Sequence, residues 1–138
     1  MKQKKKLLQH LEEEVFCRLG SSPTHGVGVF AIRSIAKGIN PLRSVTPKKE
    51  INFKKDELKH LPKGVRKQIK MFCYYDDKEV HIPIVGLNTM DYSIFLNHSK
   101  VPNIRLKKSG QFETLHKIKI GEELVMDYDH SFGEEHIF

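Results

Sequence analysis

The apolar positions of this chain recur at short and changing intervals, which predicts many brief secondary-structure elements. Leu7, Leu8 and Leu11 have helical spacing, so residues 4–14 are predicted to form an amphipathic helix in a basic N-terminal segment, residues 1–14. Apolar and polar side chains then alternate over residues 15–19, and residues 27–32 are mostly apolar. These two runs are predicted to form a hairpin around a glycine-containing loop.

The period changes to 3.6 at about residue 53, which predicts a helical insert spanning about residues 53–72. Pro62 is expected to end one helix and open the next, because proline fits the first turn of a helix but not its interior. A short helical turn capped by Asn88 or Thr89 is expected to reach Leu96. Alternating apolar residues predict further strands at 80–84, 104–106, 112–118 and 124–128.

Many short strands around a small helical insert, without regular alternation of strand and helix, predict a β-rich α+β fold. A chain of 138 residues is long enough for one hydrophobic core and too short for two. We therefore predict a single domain over residues 15–138, with a C-terminal tail at 129–138.

The charged residues are distributed unevenly along the chain. Residues 1–70 contain 17 Lys and Arg against 6 Asp and Glu, whereas residues 71–138 contain 7 against 11. Either the basic half faces a polyanion and the acidic half attracts a cationic peptide, or the lysines only solvate helical surfaces. Nucleic acid is compatible with this charge as a partner, but no recognisable reading motif supports it.

Cysteine and histidine positions give no metal-binding pattern. Cys17 and Cys73 are far apart in the sequence, and the eight histidines lack the spacing of paired metal ligands. We therefore expect two free, at least half-buried thiols and no metal. No apolar run has the length of a signal peptide or a membrane span, so we expect an intracellular, cytoplasmic protein that does not enter a membrane.

Three motifs occur together in the sequence. Gly26-Val27-Gly28 comes first, followed by Asn97-His98-Ser99-Lys100-Val101-Pro102-Asn103 and, about two dozen residues later, by Glu123-Leu124-Val125-Met126-Asp127-Tyr128. Each motif alone is a weak signal because glycines and polar turns are common. Their joint occurrence in this order is specific, and through them residues 17–128 resemble the SET-domain protein lysine methyltransferases.

The resemblance implies a fold of several short sheets with a C-terminal pseudoknot, and S-adenosylmethionine as the methyl donor. It matches Tyr128 to the catalytic tyrosine, whose hydroxyl lies where the methyl donor and the lysine amine meet. Asn97 and His98 match residues that contact the cofactor. The glycine-containing loop would hold the methionine part of the donor through four residues: His25, Gly26, Val27 and Gly28.

The chain also departs from the family pattern. Lys100 and Val101 stand where the family carries a cysteine, and the zinc-binding cysteines that often complete the lysine channel are missing. Phe132 in the tail is assigned to the cofactor site as an aromatic that can stack on adenine, with simple tail packing as the alternative. Met126 stands where the family usually has Phe or Tyr, and it is assigned with Tyr92 to the substrate channel.

The function that the resemblance implies is transfer of methyl groups from S-adenosylmethionine to the side-chain amine of a lysine in a protein substrate, for which a basic protein is a candidate. Small single-domain members of the family, without cysteine-rich flanks, are the most similar type. The alternative is a catalytically silent SET-like module that binds a basic peptide. Turnover of a labelled donor would distinguish the two.

Overall fold

The computed structural model describes residues 2–89 and 91–131, which fall into two compact units. The first unit contains the chain up to residue 45 and again from residue 95, and the second contains residues 46–94. In chain order the elements are α1 (Lys2–Glu13), β1 (Cys17–Ser21), β2 (Val27–Ala31), β3 (Glu50–Lys54), a 3₁₀ turn (Lys55–Leu58), α2 (Lys63–Phe72), β4 (Tyr74–Tyr75), β5 (Glu79–Pro83), a second 3₁₀ turn (Tyr92–Phe95), β6 (Asn97–His98), β7 (Ile104–Leu106), β8 (Phe112–Thr114), β9 (Glu123–Met126) and α3 (Tyr128–Ser131).

The first unit is built around one sheet whose strand order, among the described residues, is β1-β2-β9-β7-β8, with β6 also paired to β9. The pairs β1/β2 and β2/β9 are antiparallel, whereas β6 and β7 both run parallel to β9. Asn97 lies opposite Val125 and His98 lies opposite Met126. This parallel pairing brings together two motifs that are about 26 residues apart in the sequence.

The core of the first unit combines apolar side chains from strand positions with others from outside the strands, such as Ile35, Leu96 and Ile118. Its buried members are Cys17, Val29, Ala31, Ile35, Leu96, Ile104, Phe112, Ile118 and Leu124. The core therefore lies directly beneath β6 and β9, and these two strands rest on well-packed side chains.

The second unit contains an antiparallel sheet of order β3-β5-β4 together with α2. Pro62 occupies the position before the first residue of α2, as the sequence predicted for this breaker. Its small core consists of Ile69, Cys73 and Val80, with half-buried apolar neighbours around them.

The β-rich α+β prediction is confirmed, while several local predictions are wrong. The strand predicted at 112–118 ends at Thr114, and the one predicted at 124–128 ends at Met126, with Tyr128 in α3. Phe53 lies in β3 and not in a helix, because residues 50–54 pair along their whole length with β5. The short helical turn before Leu96 begins at Tyr92 and not at residue 88 or 89, because the Asp91 carboxylate accepts the N–H of Ser93 at 2.8 Å. The assignment of one domain to residues 15–138 stays a prediction.

Both cysteines are free and buried. Burial raises the pKa of Cys17 to about 12. It also raises the pKa of Cys73, with a smaller contribution from the nearby Glu50. Neither thiol is therefore suited to act as a nucleophile at neutral pH. Within the described part of the chain, no helix is long and apolar enough to cross a membrane.

Candidate active site

Asn97 connects β6 to the glycine-containing loop. Its side chain is 7% exposed, and its amide nitrogen lies 3.0 Å from the carbonyl oxygen of His25 and 3.2 Å from that of Val27. Both loop carbonyls therefore lie within hydrogen-bonding distance of a donor from the protein itself. Residues of the first and second motifs, 70 or more positions apart, meet at this one side chain.

Glu123 is the residue of this site that the sequence did not assign. Its carboxylate accepts hydrogen bonds from Asn97 Nδ2 at 2.8 Å and from Ser22 Oγ at 2.8 and 2.9 Å. Ser22 Oγ in turn accepts the N–H groups of Thr24 and His25, which curls the loop around it. Glu123 therefore fixes both sides of the glycine-containing loop, and the only sequence signal for it was its place in the third motif.

The two glycines of the loop are required for different reasons. Gly26 has a φ of 47°, a left-handed conformation that L side chains rarely adopt, and no described atom lies within 4 Å of the point where its Cβ would be. A Cβ at Gly28 would lie 2.4 Å from Glu123 Oε2. Gly28 thus allows close approach of a carboxylate of this chain, whereas Gly26 leaves the loop backbone open.

Tyr128 begins α3 directly after β9, and both of its polar groups are bonded within the site. Its backbone N–H donates to His98 Nδ1 at 3.1 Å, and its hydroxyl donates to the carbonyl oxygen of Leu96. The rings of His98 and Tyr128 are in tilted contact, with their centroids 5.2 Å apart. Burial raises the pKa of Tyr128 above its usual value, so the phenol is neutral at physiological pH.

The two aspartates that flank Tyr128 in the sequence both interact with Lys100. The Lys100 ammonium donates to Asp129 and lies 3.5 Å from Asp127 Oδ1, and its pKa is raised mainly by the hydrogen bond to Asp129. His98, Asp127 and Asp129 each place a ligand atom within 4.8 Å of the others, which is a spacing a metal ion could use. The lysine ammonium already supplies a positive charge to both carboxylates of this cluster.

Three other predicted site residues have different positions. Met126 is half-buried in β9 opposite His98. Tyr92 belongs to the second unit and is 41% exposed, so its assignment to the substrate channel stays a prediction. Phe132 lies outside the described residues.

Comparisons with known proteins agree with the arrangement of the three motifs. The family model described as SET domain matches residues 26–129, which is well over half of the chain. No curated protein sequence matches this chain. The crystal structure of a proposed histone methyltransferase from Plasmodium falciparum is similar, with a TM-score of 0.53 and 19% sequence identity, over 87% of this chain and 98% of that one.

At 19% identity the structural likeness establishes the fold alone, and the family model establishes the membership. The fold class predicted from the motifs is confirmed. The chain belongs to the SET-domain family.

Proposed function

We propose that this chain is an S-adenosylmethionine-dependent protein lysine methyltransferase, with Tyr128 as its catalytic residue. The observation that supports this most strongly is the hydroxyl of the half-buried Tyr128, which is bonded to the Leu96 carbonyl directly beside Asn97 and His98. A tyrosine with only a packing role would not need a hydrogen bond that joins the third motif to the residue just before the second motif.

The residues near Asn97 fit a cofactor that carries an ammonium, a carboxylate and a purine edge. The Asn97 amide nitrogen is used by protein acceptors, which leaves Oδ1 to accept from a ligand. His98 Nδ1 accepts a backbone N–H, so in the neutral ring the proton is on Nε2, which can donate. Among the described residues, nothing bonds the N–H of Gly26, which can donate as well. We assign the cofactor to these residues together with His25, Val27 and Gly28.

The reaction requires a neutral lysine amine. When bound, S-adenosylmethionine supplies a methyl group on a positively charged sulfur, which a neutral amine can attack. A lysine with a pKa near 10.4 pays roughly 4 kcal/mol to be deprotonated near pH 7.4. A desolvated channel next to a positive charge lowers that pKa, so no strong base is required of the protein.

Tyr128 is suited to orient this amine and not to deprotonate it. Its pKa is raised by burial and its proton is donated to Leu96, so the hydroxyl is a poor base at neutral pH. A phenol oxygen that donates its proton can also accept a hydrogen bond, here from an N–H of the amine. Accepting that hydrogen bond would direct the nitrogen lone pair away from Tyr128, and this is the role we assign to the hydroxyl.

The substrate we propose is an intracellular protein, for which basic proteins are the first candidates. The acidic excess of residues 71–138 favours approach of a cationic segment. Two free, buried thiols are typical of proteins in a reducing compartment, which supports an intracellular, cytoplasmic location. The similar Plasmodium protein is itself described as a proposed histone methyltransferase, so histones belong in the first panel.

The deciding experiment is intact-mass analysis of a panel of basic proteins after incubation with S-adenosylmethionine. Wild-type protein should add multiples of one methyl mass to at least one substrate, and peptide mapping should place them on lysine. Tyr128→Phe is the matched control. No mass increase on any substrate, combined with measurable binding of a basic peptide, would instead support the catalytically silent module.

A further inference from the structure

The second unit contains a cavity whose lining includes none of the residues assigned to methyl transfer. It has a volume of about 430 Å³, which is within the range of pockets that receive ligands or large side chains. Its walls come from the first 3₁₀ turn, α2, β4 and β5. The floor is apolar and consists of Leu58, Ile69, Tyr75 and Val80.

The rim of this cavity is cationic. Four basic side chains complete the lining: Lys55, Lys59, Arg66 and Lys70. Among the described residues, no acidic side chain contributes to it. Helix α2, which supplies two of them, has the sequence KGVRKQIKMF and so carries four basic residues and no acidic one. An apolar floor inside a ring of one charge sign is therefore the chemical character of the site.

Among the described residues, one of the rim charges has an ion-pair partner and another is hydrogen-bonded to an uncharged carbonyl. Lys59 pairs with Asp56 at 2.8 Å, and Arg66 Nε donates to the Leu61 carbonyl at 3.1 Å. Lys70 forms no ion pair with any residue that the structure describes. The cavity therefore presents free positive charge to an incoming partner.

We propose that this cavity is a docking site for an acidic segment of a partner protein, which inserts one or two large apolar side chains and places its carboxylates beside Lys55 and Lys70. Charge complementarity carries this assignment. The apolar floor supplies the affinity, because burial of such side chains gives roughly 25 cal/mol per Å². The rim supplies selectivity for acidic sequences and a faster encounter.

Two other occupants fit less well. A small-molecule site usually has several placed polar groups that fix orientation, whereas the floor of this cavity is apolar and Arg66 is already bonded to a carbonyl. Single-stranded nucleic acid is normally held by a series of aromatic stacking surfaces, and Tyr75 is the one aromatic among the described lining residues. A protein segment needs neither feature, because its orientation is set by contacts outside the cavity.

The test is fluorescence anisotropy with a labelled eight-residue peptide in which a central Leu-Phe pair is flanked by three glutamates on each side. Two peptides change one feature each: glutamines replace the glutamates, or Gly-Ser replaces Leu-Phe. We expect saturable binding of the first peptide and at least about tenfold weaker binding of both others, a difference of about 1.4 kcal/mol. A labelled single-stranded oligonucleotide is measured in parallel.

Two charge reversals on the same helix provide the matched controls. Lys70→Glu, on the rim, should weaken binding of the acidic apolar peptide at least about fivefold. Lys67→Glu makes the same charge change on α2 outside the cavity lining and should have little effect. Both side chains are exposed, so both variants should fold, and circular dichroism checks this.

The proposal is overturned if both charge reversals weaken binding equally, because diffuse attraction would then explain it. It is also overturned if the peptide without Leu-Phe binds as well as the first peptide, or if no saturable binding occurs. Tighter binding of the oligonucleotide, with displacement of the peptide, would assign the surface to nucleic acid instead. None of these outcomes depends on methyltransferase activity, so the two proposals can fail separately.

Discussion

Asn97 contributes to fold stability as well as to the site, and replacing it should show both effects. Its amide nitrogen has three acceptors within 3.2 Å, two carbonyls and the Glu123 carboxylate, but only two hydrogens to donate. Counting one bond to a charged acceptor and one to a neutral carbonyl, Asn97→Ala should cost about 3 kcal/mol of unfolding free energy. That is a large part of the stability of a typical domain, about 5–15 kcal/mol.

Urea unfolding followed by circular dichroism measures this loss as a lower transition midpoint. Asn88→Ala is the control, because Asn88 is exposed and should change the unfolding free energy by less than about 0.5 kcal/mol. Calorimetry with S-adenosylmethionine, under conditions in which the variant is folded, should also show weakened binding. An unchanged midpoint together with unchanged donor affinity would refute the role given to Asn97.

A second variant, Asn97→Asp, separates the hydrogen bond from side-chain volume. It places a carboxylate where the amide nitrogen now lies 2.8 Å from Glu123 Oε2, so two negative charges would share a half-buried space. We expect Asn97→Asp to be less stable than Asn97→Ala at pH 7, and to recover as the pH falls and one carboxyl becomes protonated. Equal stability of the two variants across this pH range would mean that the Glu123 carboxylate is not confined as the structure indicates.

Three further predictions concern chemistry at the site. Tyr128→Phe should remove most methyl transfer while leaving donor affinity within severalfold, because the hydroxyl acts on the amine. In an ultraviolet titration of the wild type, the Tyr128 phenolate should form only above the usual tyrosine pKa near 10, since burial raises that pKa. The wild type should proceed past monomethylation, and Met126→Tyr should shift products toward the monomethyl form, because a phenol would crowd the amine. Chelator treatment should change neither activity nor melting temperature, because the Lys100 ammonium already interacts with both aspartates of the cluster and offsets part of their charge.

Each of these has a contrary result. Near-full turnover of Tyr128→Phe would remove this residue from the mechanism. Mass spectra that show only monomethyl product from the wild type at long incubation would mean that another residue narrows the channel. A fall in melting temperature after chelation, restored by one divalent metal, would show that His98, Asp127 and Asp129 bind an ion.

The sequence allowed site residues to be proposed where the proposal depends on residue identity. Tyr128, Asn97 and His98 could be assigned because each belongs to a motif, and the structure brings them together. Glu123 and the Leu96 carbonyl could not be assigned in the same way. Their roles depend on the parallel pairing of β6 with β9, which joins residues distant in the chain and leaves no local periodic signal.

The error at the start of the helical insert has a similar cause. Residues 50–54 contain apolar side chains at positions 51 and 53, followed by basic and acidic residues that suit a helix. Pairing with β5 decides the conformation, since every residue from Glu50 to Lys54 has a partner in that strand. Long-range pairing overrides local propensity in short segments of this kind.

The network around Asn97 also determines which substitution reports on chemistry most directly. Asn97 contributes both to the fold and to the proposed cofactor site, so any loss of activity in its variants contains a stability component. Tyr128 differs because its hydroxyl donates to a backbone carbonyl, while its backbone N–H, which bonds His98, survives substitution by phenylalanine. Turnover of Tyr128→Phe measured against its own folded fraction therefore isolates the catalytic contribution, whereas the Asn97 variants measure how strongly the first and second motifs depend on each other.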